Sequence, residues 1–313
     1  MTKIFLQKAS SGYQFVRGEL VRKLQVNLQS LGHDLQLIDG IFGSDTEAAV
    51  KAYQVRKGQQ PTGKVTDDNW PALMLGTPTP SVFDRCLQLT AAFEGQGFQK
   101  LVGNFDGAGL TWGIIGYTLK HGELQKILSE AQQRFPALIQ SAFGPLSPTL
   151  FDIIGKPWVD QRDWANGISI GTNKYRVEEK WRVAFDTFGS YAEIQEIQLR
   201  RVIDYWAIAQ RDANRFGIKS ERGIALTFDV AVQNGGIDDV TEGLRISNWI
   251  RQNSGVSEGD VLVRIADVIA DSSNPKYSED VRKRKRAIAI GDGIVHEARY
   301  ALRDWGITEL AYG

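Results

Sequence analysis

Residues 76–81 read Gly-Thr-Pro-Thr-Pro-Ser, and this short proline-punctuated stretch constrains the chain more than any other feature. Proline fixes φ and offers no amide donor, so alternating prolines favour a stiff, extended spacer over a helix or strand. The spacer divides the 313 residues into a small segment, 1–75, and a medium-sized domain, 82–313, with 76–81 as the linker. A chain of this length is too long for one ordinary core and long enough for two. No stretch repeats at a fixed period, which argues against a solenoid.

The first segment has the pattern of a small helical bundle. Val21, Leu24, Leu28 and Leu31 recur at helical spacing and Gly32 ends the run. Asp39-Gly40 and Gly43 mark a tight turn, and Ser44 or Asp45 is the expected N-cap of a second helix carrying Ala48, Ala49, Ala52 and Tyr53. Gly58 closes that helix, Pro61 to Gly63 form a turn, and a short third helix is expected around Trp70 and Leu73. The string DGIFGSDTEAAVKAYQ, followed by PTGKVTDDNWPAL, resembles the three-helix peptidoglycan-binding domain of wall hydrolases. The resemblance implies a shallow glycopeptide groove with Asp39, Gly40, Phe42 and Tyr53 as its surface residues. Read as residues alone, Phe42 and Tyr53 equally suit a bundle core, and Asp39 and Gly40 suit a turn.

Composition narrows the function. Hydrophobic residues make up 42% and charged residues 24%, the balance of a folded protein, and Lys plus Arg equals Asp plus Glu at 37 each. A net charge of zero argues against bulk electrostatic capture of nucleic acid, so no nucleic-acid partner is expected. Cys86 is the only cysteine, which rules out an internal disulfide and a cysteine-based zinc cluster; it reads as a buried small hydrophobe. His33, His121 and His296 are scattered without metal-ligand spacing, so neither metal nor cofactor is expected. The early apolar run Ile4-Phe5-Leu6 stops at Gln7 and Lys8, short of the roughly 7–15 residues of a secretory signal. No stretch suits stable membrane insertion. A monomer is expected.

From Val82 onward the pattern is mainly α. VFDRCLQLTAAFEG is an amphipathic helix ended by Gly95 or Gly97, and NFDGAGLTWGIIGY reads as a glycine-dense loop leading into a short strand or turn. A long helix is expected over YAEIQEIQLRRVIDYWAIAQRDANRFG, a buried one over GIALTFDVAVQNGGI, and the last helices over VRKRKRAIAIGDG and on to HEARYALRDW.

Two carboxylates stand out. Glu94 lies at the negative end of a helix beside Phe93 and Phe98, surroundings that disfavour ionisation and suit a general acid; a solvated helix-end residue is the plainer reading. Asp106 sits in the glycine-rich loop, either as a turn-former beside Gly107 or as the partner of Glu94 across a groove. Glycosidic hydrolysis needs two such carboxyls on opposite sides of the sugar, and Thr111 adds a hydroxyl able to hold water.

FEG followed by FDGAGLTWGIIGY resembles the lysozyme-like superfamily, nearest its chitosanase branch, in which a helix-end Glu precedes a D-G-x-G-x-T-x-G-x-x-G loop. The resemblance implies a lysozyme-like, α-rich domain with a short β-hairpin at the active site. It makes Glu94 the general acid, Asp106 the general base and Thr111 the water-positioning residue of an inverting reaction. Inverting carboxyl pairs stand about 6.5–9.5 Å apart. It also implies a supporting role for Asp229 on a central buried helix, with an arginine from among Arg282, Arg284 and Arg286, the last two favoured. Gly107, Gly109, Gln233 and Asn234 become substrate contacts. The Glu94–Asp106 interval is shorter than in chitosanases, and Ala108 stands where they carry a basic residue.

Together these readings suggest a peptidoglycan-cleaving muramidase of bacteriophage-endolysin type, whose partner is the glycan strand. Without a signal peptide, it is expected to wait in the host cytoplasm for holin-type release, or to be injected as an effector. A chitosanase and a non-catalytic wall-binding protein are the alternatives.

Overall fold

The computed structural model describes residues 2–95 and 97–312 and is mainly α, as the periodicity predicts. Among the described residues no helix is long and apolar enough to cross a membrane. The chain divides into two compact units, one of residues 1–93 with 205–313 and the other of residues 94–204.

The first unit opens with strand β1 (Ile4–Leu6), then helices α1 (Glu19–Ser30) and α2 (Ser44–Arg56), strand β2 (Val65–Thr66), and helices α3 (Trp70–Leu73) and α4 (Val82–Phe93). β1 and β2 pair antiparallel. Val21, Leu24 and Leu28 are buried on one face of α1, and Gly32, with φ of +81°, turns the chain out of the helix. The helix expected to be capped by Ser44 or Asp45 is instead capped at Gly43, with no side-chain cap hydrogen bond.

The sequence after Phe93 builds the second unit around a three-stranded antiparallel sheet, β3 (Leu101–Val102), β4 (Thr111–Trp112) and β5 (Tyr117–Thr118). Helices α5 (Glu123–Arg134), α6 (Pro136–Phe143), α7 (Ser147–Ile154) and α8 (Trp158–Ile168) follow. A two-stranded hairpin, β6 (Ser169–Ile170) and β7 (Arg176–Val177), and helix α9 (Glu179–Ser190) come next. Strand alternation points Trp112 inward, where it stacks on Phe188 at 5.2 Å and meets Phe185 at 5.6 Å, while its neighbour Thr111 stays partly exposed.

Helix α10 (Ala192–Arg215) begins in this unit, and its later turns belong to the first. There it is followed by α11 (Glu221–Asn234), α12 (Glu242–Gln252), α13 (Glu258–Ser272) and α14 (Ser278–Ile290). α11 is buried through most of its length and stops at Gly235, whose φ is +81°. Where the sequence suggests a last helix over HEARYALRDW, the chain forms a hairpin, β8 (Asp292–Val295) and β9 (Ala298–Ala301), then a single 3₁₀ turn, Leu302–Trp305. Its two-residue turn, His296-Glu297, is left-handed at both positions (φ 47° and 67°), as such tight hairpins require.

The first unit is stitched together by buried polar bonds between distant parts of the chain. Glu221, only 1% exposed, accepts from Arg85 at 2.8 and 2.9 Å, from Lys3, and from the Thr308 amide at 3.2 Å. Gln7 donates to Asp304 at 2.6 Å and the Tyr13 hydroxyl to Asp292 at 2.7 Å. The stretch 76–81, expected as the domain boundary, lies inside this unit. The Trp70 indole donates to the Thr77 and Pro78 carbonyls, and Ser81 and Asp84 form a reciprocal cap on α4.

Candidate functional site

The two carboxylates singled out by the sequence flank β3 in the second unit: Glu94 precedes it and Asp106 follows it in the β3–β4 loop. Glu94 is partly exposed, in the turn directly after α4. Lys100 donates to the Gly95 carbonyl at 2.6 Å, and the Gly113 amide donates to the Lys100 carbonyl at 3.1 Å, which ties this turn to the sheet. The side chain of Gln198 on α10, fully buried, bridges the same parts. It donates to the Phe98 carbonyl at 3.0 Å and accepts from the Ile114 amide at 2.9 Å. A Cβ on Gly113 would fall 2.4 Å from the Gln198 side-chain oxygen, so only glycine fits beside this bridge.

The loop carrying Asp106 is held from within. Buried Asn104 receives the Gly109 amide at 2.8 Å and donates to Asn166 at 2.8 Å, while its own amide donates to the Ser169 hydroxyl at 2.9 Å. Asp106 is exposed at the tip and accepts one hydrogen bond, from the Ala108 amide at 3.0 Å. That bond is the turn-forming contact expected beside Gly107, and it occupies one carboxylate oxygen. Thr111 begins β4 opposite Val102 and Thr118, and among the described residues its hydroxyl has no hydrogen-bond partner.

The other sequence-derived residues divide sharply. Gly107 stays exposed with open space around it, whereas Gly109 is buried, and a Cβ there would meet Leu119 at 3.1 Å and the Trp158 ring at 3.2 Å. Gly109 is therefore a close-packing position, which corrects its reading as a substrate contact. Gln233 and Asn234 stand exposed in the last turn of α11, in the first unit.

Asp229 is fully buried on α11 and paired, but more heavily than the sequence suggests. Arg284 reaches both its oxygens, at 2.6 and 3.0 Å, Lys285 donates to its carboxylate at 2.6 Å, and the Thr90 hydroxyl adds a bond at 3.3 Å. Burial alone would raise this carboxyl, but the two cations outweigh it and hold it down at about 2. Arg284 also lies 5.2 Å from the Phe93 ring, at the end of α4. Arg286, expected to share the role, instead pairs with Asp267 at 2.7 Å on the surface, and Arg282 joins Asp267 and Asp271. Neighbouring positions on α14 face different directions, so only one of the arginines reaches Asp229. Lys285 was missed because a lysine in a basic string looks like part of a solvated face. Cys86 is buried, and burial pushes its thiol upward, away from reactivity.

In the N-terminal segment Phe42 is fully buried and Tyr53 is 3% exposed, packed edge-on against His33, so both belong to the bundle core and not to a binding surface. Asp39 accepts from the Ile41 amide and the Gln25 amide group, each at 2.8 Å, and the Gly40 amide donates to Gln25 at 2.7 Å. These two residues form the turn. An open groove of about 330 Å³ lies elsewhere on this segment, lined by His33, Asp34, Gln36, Asp45, Ala48, Ala49 and Ala52. Burial lowers the affinity of His33 for protons, with a further contribution from Arg56.

Residues 17–73 match the family model of the peptidoglycan binding domain. This assigns the N-terminal segment a cell-wall-associated role with peptidoglycan as its partner. No curated protein matches the chain.

Proposed function

We propose that this protein is a peptidoglycan hydrolase that cuts the glycan backbone by general acid/base catalysis. The observation that carries the reading is the Asp106 loop, braced by buried hydrogen bonds yet exposing a carboxylate with one oxygen uncommitted. Glu94 precedes β3 in the chain, in a turn that is also tied to the sheet, and the unengaged hydroxyl of Thr111 starts the next strand. The match to a peptidoglycan binding domain supports the choice of polymer.

In this reaction Glu94 protonates the leaving glycosidic oxygen. Asp106 removes a proton from a water held by Thr111, and that water attacks the anomeric carbon from the opposite face and inverts it. Asp229 and Arg284 act indirectly, by fixing the end of α4 from which Glu94 emerges. The groove beside α2 holds the wall while the second unit cuts. Holin-type release or injection would bring it to the glycan.

A zymogram on purified peptidoglycan tests this directly. The wild type should clear, and Glu94→Gln or Asp106→Asn should each lower the rate by at least ~100-fold. Equal clearing by wild type and Glu94→Gln sinks the mechanism. Mass spectrometry should find reducing ends; anhydro ends would make the protein a lytic transglycosylase, and faster release from chitosan would make it a chitosanase.

A further inference from the structure

Among the described residues four aromatic side chains stand well exposed: Phe15 (44%), Phe105 (51%), Tyr175 (38%) and Tyr277 (48%). Only Phe105 and Tyr175 touch one another, with ring centroids 5.3 Å apart and planes inclined at 57°. Isolated exposed aromatics are ordinary on protein surfaces, but a paired set next to a proposed catalytic residue calls for a cause. Phe105 immediately precedes Asp106.

The pairing is built into the backbone. The Gly103 amide donates to the Tyr175 carbonyl at 2.8 Å, and a Cβ at Gly103 would fall 2.4 Å from the Lys174 carbonyl and 2.6 Å from the Ser169 hydroxyl. Glycine thus lets the β6–β7 hairpin pass directly against the strand that leads into Phe105. Asn104, the next residue, is anchored to the start of that hairpin through Ser169 and to the end of α8 through Asn166. Two rings are therefore held outward on braced backbone, with Lys100 Nζ 5.9 Å from the Tyr175 ring. The two rings are inclined to one another, and Phe105 keeps about half its surface open to solvent. A rigid, exposed aromatic face loses little conformational freedom when it binds, and it presents the flat apolar surface that the C–H face of a pyranose ring fits.

We propose that Phe105 and Tyr175 form a stacking platform for a pyranose ring of the glycan strand, setting the strand's register beside Asp106. The identity of the sugar polymer rests on the hydrolase reading above; the platform itself rests on the paired rings. Phe105 is a binding residue here, with no part in proton transfer.

The test uses the full chain and a β-1,4-linked N-acetylglucosamine hexasaccharide, titrated calorimetrically in the Glu94→Gln background so that nothing is turned over. Phe105→Ala should weaken binding about tenfold, and Phe105→Trp should restore it. On purified peptidoglycan, with Glu94 intact, Phe105→Ala should raise KM about tenfold and leave kcat within about twofold. Its melting temperature should match the wild type, because the ring is exposed. Hexasaccharide binding that is absent from the starting protein, or unchanged by Phe105→Ala, overturns the platform even if peptidoglycan is cleaved. Weakened binding in a protein that never releases reducing ends leaves the platform standing and removes the hydrolase.

Discussion

Asp229 and Asp106 are the two aspartates that the sequence marks most clearly, and they stand in opposite surroundings. Asp229 is fully buried and accepts from Arg284, Lys285 and Thr90, with its oxygens committed to cations. Asp106 is exposed and accepts a single backbone amide. A buried charge is tolerable only when it is paired, so the first arrangement holds helices in place and has nothing left to offer a ligand. The second keeps an oxygen free, and the bracing of its loop comes from a neighbour, Asn104. What already occupies their lone pairs thus separates the buried structural acid from the one proposed for chemistry.

The largest expected effect lies on the buried side. Asp229→Ala strands two buried cations and should cost roughly 3–5 kcal/mol of stability, read from urea unfolding at neutral pH. The same contrast has a pH signature. The folded carboxyl is held at about 2, below its unfolded value, so its contribution is complete above the unfolded value and is lost as pH falls towards about 2. The gap between wild type and Asp229→Ala should therefore narrow as the buffer is taken down through that window. A variant that unfolds at the wild-type midpoint would remove Asp229 from the core's support.

A middle-sized effect is expected where the two regions differ in kind. Asn104→Ala leaves the buried Gly109 amide without its acceptor and should cost about 1–3 kcal/mol. Amide exchange across residues 103–110 should quicken and cleavage should slow together. Faster exchange with undiminished cleavage would show that bracing the loop is irrelevant to its chemistry.

The smallest effect sharpens the comparison within α14. Arg286 pairs with Asp267 at the surface, and Arg286→Gln should change stability by no more than about 1 kcal/mol. If its melting point dropped as far as that of Asp229→Ala, the division of labour between Arg284 and Arg286 would be wrong.

Much of the local structure was legible in the residues. The periodic apolar runs of α1, α4 and α11, the stops at Gly32 and Gly235, and the turn at Asp39-Gly40 all arise from φ/ψ preference and hydrophobic spacing, which act over a few residues. That Asp229 would meet an arginine of the basic string was implied by the resemblance, which left open which arginine it is. The terminal hairpin did not, since His296-Glu297 adopts left-handed turn geometry without the usual glycine. Nor did the neighbouring Phe105 and Tyr175, which are brought together only when the β6–β7 hairpin closes on Gly103.

The sequence by itself determined helices α1, α2, α4, α10 and α11, the stops at Gly32 and Gly235, and the identity of the acids worth examining. Only the tertiary structure decided that Phe42 and Tyr53 face a core, that Arg284 and not Arg286 meets Asp229, and that the compact units cut the chain at residues 93/94 and 204/205. The physical reason is range. Backbone preference and periodicity are properties of a short stretch of chain, whereas burial and pairing depend on which distant segment arrives opposite, and nothing within the stretch specifies that partner.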